Sequence, residues 1–449
     1  MSQSEGIIAE TDFPAGEFVR RRARVCRALG DAYALVAGAG PVRGFVALRQ
    51  TNEFFYLAGI ETSQAYLLID GSAGTGALYL PPRGKAQIGE GAPPGLEDVD
   101  WVKAISGVDA VYPVSVLAEH LSQAKVVYTP HTPGEVRATC RYELEAANRA
   151  IACDPWDGRP SREHQLIALL HSRFPGIEIK DLTPVLDELR SVKSQSEIAV
   201  LRRAGRLSAQ AVRVAMRVTR PGLMEYQLGA LANYLYAING AQGEGYRPIV
   251  ATGENIWYGH YFRLDAPLKA GDLVLMDVAP ECNHYTSDVG RMWPVDGTYH
   301  PWQQELYGYI VAYHKALLAR IRPGVTPEAV MDEAAAAMRK IWEGWAFSKE
   351  TYREGARKTL AFRGHLSHPV GMAVHDDGSY LGRPLVPGTV FAVDPQMWIP
   401  EEKLYIRVED TVVVREDGIE NLTAAAPLAL DDVERLMREE TMDLPLLGA

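Results

Sequence analysis

The sequence predicts a two-domain protein of mixed α/β (α+β) class. Three observations carry that prediction: a length of 449 residues, an N-terminal part in which helical and strand-like segments alternate, and a C-terminal part with two acidic hairpins. A chain this long exceeds one ordinary hydrophobic core and fits two domains of roughly 150–250 residues each. The expected division is an α/β domain over residues 1–187 and a second domain over 188–449 that carries the hairpins.

Taken in order, the first element is an Arg-rich helix from about Ala15 to Leu29. Strand-like segments follow at Tyr33–Val36, Phe45–Leu48 and Tyr66–Ile69. The run Gly71-Ser72-Ala73-Gly74-Thr75-Gly76 has the composition of a phosphate loop, but no Lys-Ser or Lys-Thr follows and the apolar strand Ala77–Leu80 comes next, so it is read as a turn between strands. Ser194 and Glu197 stand at capping-box spacing ahead of a long helix. In it Ile198, Leu201, Ala204, Ala211, Val214 and Val218 recur at three- and four-residue steps until Pro221-Gly222 stops it. A further helix is expected from Thr326-Pro327-Glu328 through the Ala-rich run Ala334–Ala337.

Composition narrows the function. With 47% hydrophobic and 23% charged residues the chain reads as globular, and no apolar run reaches the ~18 residues of a membrane helix. Residues 1–13 carry Glu5, Glu10 and Asp12 and lack the basic-then-apolar order of a signal peptide, so a cytoplasmic location is expected. Cys26, Cys140, Cys153 and Cys282 show no CxxC spacing and are read as reduced, structural thiols. A net charge of −11 disfavours nucleic acid and anionic lipid as partners and points to a small substrate.

The chemistry concentrates in two hairpins. Leu273–Ala279 reads as a buried strand, Pro280–His284 as a turn and Tyr285–Trp293 as the returning strand. A turn centred on Cys282-Asn283 would pair Asp277 directly with Asp288, bringing two carboxylates within about 5 Å at Cβ. Thr389–Asp394 and Leu404–Val414 repeat the construction. A turn centred on Glu401-Glu402 sets Asp394 opposite Glu409, and alternation puts Arg407 on the face of Glu409. Buried carboxylates that face one another repel, so a cation is their natural partner. Taken singly, Asp277 or Glu409 could instead be a strand-end acid paired with Arg291 or Arg407. Four carboxylates and one imidazole suffice for two divalent ions, which about 3.5–4 Å apart can hold a bridging hydroxide as nucleophile.

Histidines strengthen the case. His365, His368 and His375 fall within eleven residues in Gly364–Asp376, interleaved with Gly and Val in the manner of a cleft wall. His260 lies in the Gly- and aromatic-rich Gly253–Tyr261, ahead of the first hairpin. His284, His300 and His314 lack such settings and are read as structural or exposed, and Trp257 and Trp302 as lining an interface or a pocket.

These residues resemble the pita-bread metallopeptidases, in their aminopeptidase P and prolidase branch, over most of the chain: from a creatinase/prolidase-like N-terminal domain through Leu189–Glu197 to Asp410. The resemblance rests on an Asp on a strand, a second Asp eleven residues later followed by Arg, a Ser-His-x-x-Gly-x-x-x-His-Asp string (Ser367–Asp376) and Arg-x-Glu-Asp (Arg407–Asp410). It implies that residues 188–449 form a pita-bread catalytic domain, a curved antiparallel sheet flanked by helices, which cleaves the bond between an N-terminal residue and proline. Asp277 would chelate one metal, His368 and Asp394 the other, and Asp288 and Glu409 would bridge. It also implies His260 as an active-site histidine, His375 and Arg407 as substrate contacts, and Asp394 as general base. The expected cofactors are two divalent ions, manganese first, with cobalt, iron or zinc as alternatives. The expected assembly is a homodimer, and the expected partner a small peptide or other small-molecule substrate.

Two positions depart from the family's pattern. Val393-Asp394-Pro395-Gln396 stands where the family has Glu before Pro-Gly, shortening the carboxylate arm by one C–C bond, about 1.5 Å. Gly364-His365 stands where the family has His-Gly. Both leave open a non-peptide hydrolase or lyase on the same fold, and a metal-free binding protein is the alternative from another class.

Overall fold

The protein is described from a computed structural model, which covers residues 12–42, 44, 46–83 and 94–439. Residues 1–11, on which most of the signal-peptide reading rests, lie outside the described residues, as does Phe45. The chain forms two compact units, Met1–Arg190 and Ser191–Ala449. No helix among the described residues is long and apolar enough to cross a membrane.

The first unit is built on a six-stranded mixed sheet. Its strands are β1 (Tyr33–Ala37), β2 (Tyr66–Asp70), β3 (Thr75–Leu80), β4 (Ala110–Pro113), β5 (Val126–Thr129) and β6 (Glu178–Asp181), in the order β4-β3-β2-β1-β5-β6. The Arg-rich helix spans Ala15–Leu29 and buries Phe18, Val25 and Leu29. Its arginines have a local purpose: Arg21 donates to Tyr56 O at 3.0 Å and Arg22 to Leu57 O at 2.8 Å, satisfying last-turn carbonyls of the helix Asn52–Ala58. The glycine-rich run is the β2–β3 turn, where Asp70 Oδ1 accepts from the backbone of Ser72 and Ala73. The strand expected at Phe45–Leu48 is absent over its described residues. Residues 46–48 are loop and Val46 is 66% exposed, so these three bury no face that would hold them in a sheet. All four cysteines are free; Cys153 is exposed, which removes the packing role expected of it.

The second unit begins with the long helix, Gln195–Val218, capped as its sequence predicts. Ser194 Oγ accepts from Glu197 N at 3.3 Å while Glu197 Oε2 accepts from Ser194 N at 2.8 Å. A seven-stranded antiparallel sheet follows, in the order β12-β13-β16-β11-β9-β8 with β17 on β16. Its members are β8 (Ile249–Thr252), β9 (Leu273–Asp277), β11 (Val289–Pro294), β12 (Leu366–Pro369), β13 (Val390–Val393), β16 (Glu409–Arg415) and β17 (Gly418–Asn421). Two short pairs, β7 (Gly243–Glu244) with β10 (Pro280–Glu281) and β14 (Gln396–Ile399) with β15 (Leu404–Arg407), complete it. Helical Val212, Ile310 and Met331 and strand residues Leu275, Met292 and Val412 share one apolar core.

The two acidic hairpins differ in how well their registers were anticipated. In the second, Val393 pairs with Asp410 and Gln396 with Arg407, the register in which Asp394 faces Glu409. In the first, Cys282 pairs with Tyr285 and Asp277 with Gly290, so the turn centres on Asn283-His284, one residue later than expected. The cause is local. Asn283 and His284 have φ of 46° and 69°, and a two-residue hairpin turn of this type needs positive φ at both central positions, where Asn is among the most tolerant residues. Asp288 is therefore diagonal to Asp277, two residues from its partner and still on the same face.

Candidate metal centre

The corrected register explains how the acidic groups meet. Asp277 on β9 pairs with Gly290 on β11, and Gly290 pairs with Glu409 on β16, beside which the β13–β16 register sets Asp394. Three of the acids thus lie in one row across the sheet with a glycine among them. A Cβ at 290 would stand 3.1 Å from Glu409 Cβ and 3.4 Å from its Oε2, so the missing side chain is what lets the carboxylates converge.

Asp277, Asp288, Asp394 and Glu409 are all buried. Among them lies the Arg407 guanidinium, with Nη1 3.0 Å from Asp277 Oδ2 and Nε 3.2 Å from Asp394 Oδ1, and with Nη2 on Glu409 Oε2. Burial alone would lower its pKa, but Asp394, Tyr405, Asp277 and Asp288 outweigh that and hold it well above the usual value. Asp288 is displaced the other way: burial and the neighbouring Asp277 raise its pKa well above the ordinary range, against the pull of Arg407 and Tyr246.

His368 approaches from β12, with Nε2 3.4 Å from Asp288 Oδ2 and 3.8 Å from Glu409 Oε1. The β12–β13 register slips between Leu366 and Pro369, an irregularity of the kind that re-aims a side chain. Its Nδ1 lies 3.1 Å from Pro369 O and so carries the proton, while burial lowers the ring's pKa to about 4. A neutral imidazole with a free Nε2 lone pair results, the form in which histidine binds metals.

The donor set fits divalent cations. Oxygens of Asp288 and Glu409 and a His368 nitrogen all lie within 4.8 Å of one another. Glu409 Oε1 is buried without a hydrogen-bond partner. One guanidinium against four carboxylates offsets only part of their charge, and hard divalent ions match the remainder.

The remaining histidines divide. His375 packs its ring 4.1 Å from that of His368, and His260 lies 5.9 Å from His375. The loop bearing His375 is pinned by a buried Lys193–Asp376 ion pair at 3.0 Å. The loop bearing His260 hangs on buried Glu225, which accepts from Thr252 N, Asn255, Tyr261 and Ala266 N. His365 lies outside the cluster: its Nε2 bonds Thr359 O at 2.8 Å and its ring packs between Tyr313 and Phe362. His314 is structural, its Nε2 2.8 Å from Asp410. Arg291 pairs with Asp410 at 2.6 Å, so it is no partner of Asp277 or of the Glu409 carboxylate.

With this geometry in place, comparison with known proteins gives a consistent answer. Residues 199–416 match the metallopeptidase family M24, and residues 18–129 match the aminopeptidase P N-terminal domain. The Xaa-Pro aminopeptidase of Escherichia coli is 31% identical over 94% of this chain and 97% of its own. The chain belongs to metallopeptidase family M24. It is accordingly a hydrolase with the pita-bread fold, and family membership implies divalent metal ions. Solved structures agree. E. coli aminopeptidase P with the inhibitor Pro-Leu has a TM-score of 0.74 at 29% identity, covering 94% of this chain and 98% of its own. Pseudomonas aeruginosa aminopeptidase PepP has a TM-score of 0.73 at 27% identity, covering 95% and 98%.

Sequence reading missed two residues of this M24 site and gave no role to a third. Tyr246, whose hydroxyl is 2.5 Å from Asp277 Oδ1 and 2.7 Å from Asp288 Oδ1, sits between β7 and β8 with no local signal. Gly290 follows only from the correct register. Gln396 was noted as a departure alone, yet its amide donates to Asp394 Oδ2.

Proposed function

We propose that this M24 chain is a Xaa-Pro aminopeptidase or dipeptidase, hydrolysing the bond between an N-terminal residue and a following proline. The observation that carries the reading is the convergence of Asp288, His368 and Glu409 within 4.8 Å, in a chain related throughout its length to an Xaa-Pro aminopeptidase. Two divalent ions, manganese first, would be held by Asp277 on one side, His368 and Asp394 on the other, and Asp288 and Glu409 between. Such a pair supplies an activated water near neutral pH and polarises the carbonyl under attack. Asp394 takes up and returns the proton that the attack releases. His260 and His375, adjoining rings beside His368, orient the peptide, and Arg407 holds the carboxylates at the edge assigned to the proline. Tyr246 keeps Asp277 and Asp288 oriented. A cytoplasmic homodimer completes the reading; free cysteines suit a reducing compartment, and light scattering in solution tests the dimer.

Manganese-loaded protein incubated with Xaa-Pro dipeptides and tripeptides, and with Xaa-Ala controls, should release the first residue from the proline series alone. If that whole series stays intact the specificity is wrong. The second reading, a non-peptide small-molecule substrate, is then preferred on the strength of the shortened carboxylate at 394.

A further inference from the structure

Asp394 is held from both sides. Arg407 Nε donates to its Oδ1 at 3.2 Å, and the Gln396 amide donates to its Oδ2. These two donors are themselves a cross-strand pair, Gln396 on β14 opposite Arg407 on β15. The next pair on the same face, Trp398 with Tyr405, stacks at 3.9 Å, and the Trp398 indole N–H reaches Gln396 Oε1 at 3.4 Å. That contact fixes which way the amide points, because an indole nitrogen only donates and a carboxylate only accepts. Its NH2 must face Asp394.

We propose that Gln396 is the positioning residue for Asp394, and that the two side chains act as a unit in which the amide orients a short carboxylate. The arrangement has no slack. A glutamate at 394 would reach about 1.5 Å further and run into the amide that now donates to it, while an aspartate without the amide keeps only Arg407 as orienting partner. Substitutions at 394 and 396 are therefore coupled, each harmful alone and compensating together.

The inference rests on the peptidase reading for its kinetic arm only. The parent, Gln396→Ala, Asp394→Glu and the double variant are loaded with Co(II), and their visible absorption spectra are recorded alongside kcat and KM on the best cleaved peptide. Gln396→Met, nearly isosteric and without a donor, separates lost packing from lost hydrogen bonding. Each single variant is expected to lower kcat by about 10- to 100-fold, the usual effect of removing a group that orients a ligand. KM should stay within ~3-fold and the Co(II) spectrum should change, because only the reacting centre is disturbed. The double variant should return to within ~3-fold of the parent, with its spectrum restored. Multiplicative losses in the double variant, or parent-like kcat and spectrum in Gln396→Met, overturn the proposal. If the parent cleaves no Xaa-Pro peptide, the substrate reading fails while a restored spectrum in the double variant still supports the Gln396–Asp394 unit.

Discussion

Glu409 and Asp410 are neighbours on one strand, both acidic and both fully buried, and they face opposite sides of the sheet. On the Asp410 side both oxygens are answered: Arg291 and Thr423 donate to Oδ1 at 2.6 Å each, and His314 Nε2 stands 2.8 Å from Oδ2. On the Glu409 side Arg407 takes one oxygen, and Oε1 has no hydrogen-bond partner. Burial and charge are the same, so neither distinguishes a structural acid from a candidate ligand. Counting donors does, because a buried carboxylate oxygen without one is costly unless a further cation belongs there.

The contrast predicts opposite phenotypes, and the largest effect lies on the structural side. Asp410→Ala strands the buried Arg291 guanidinium and should cost about 3–5 kcal/mol of unfolding free energy. Urea titration of metal-free protein checks this; an unchanged midpoint would show that the Arg291–Asp410 pair is dispensable.

On the other face, Glu409→Gln should lower activity by more than ~100-fold, beyond the effect of removing an orienting neighbour, with the fold intact. Its clearer mark is thermal. A cation that binds only the native state at 100 times its Kd adds about 2.7 kcal/mol, so manganese should raise the melting temperature of the parent. Glu409→Gln should lose that rise and Asp410→Asn should keep it. Equal manganese shifts in parent and Glu409→Gln would dissolve the distinction between the two faces.

Acid titration sharpens the same comparison. Burial alone would raise the Asp410 pKa, but Arg291, His314 and Thr423 prevail and hold it well below the usual carboxylate range. A group depressed in the folded state stabilises fully above its unfolded pKa, about 3.9 for Asp, and loses that contribution as pH falls through the folded value. Metal-free parent should therefore shed this stability only below pH ~4. Asp410→Asn, measured by urea midpoints from pH 7 to 3, should lack that portion of the acid slope.

What the sequence made legible follows the range of the interactions involved. The helix Gln195–Val218 was readable because its cap and periodicity are local, and the second hairpin because its strand lengths are symmetric about Glu401-Glu402. The four carboxylates were visible through residue type and spacing, His368 was singled out from its cluster by the family resemblance, and the structure brings them together. The first hairpin was misregistered because positive φ at Asn283 and His284, a backbone preference, decides its turn. Tyr246 was unreadable, since its contact to Asp277 spans 31 residues. Gly290 was hidden behind the register error, and the inward face of His365 depends on Tyr313 and Phe362, aromatic neighbours that only the fold assembles.

The smallest effect comes from a third buried carboxylate, on the long helix and as fully answered as Asp410. Glu197 Oε2 accepts from Ser194 N at 2.8 Å, its Oε1 accepts from the Tyr285 hydroxyl at 2.9 Å, and the Ser194 hydroxyl returns the favour to Glu197 N. Ser194→Ala removes only that last acceptor, which should lower stability by about 1 kcal/mol. The Glu197–Tyr285 bond beside the turn of the first hairpin remains. Peptidase activity and the manganese-induced thermal shift should then match the parent, and a thermal melt with and without manganese reads both. A Ser194→Ala protein that lost the manganese shift would mean that the helix start governs the carboxylate row through Tyr285, and that donor counting does not separate structural acids from the metal site.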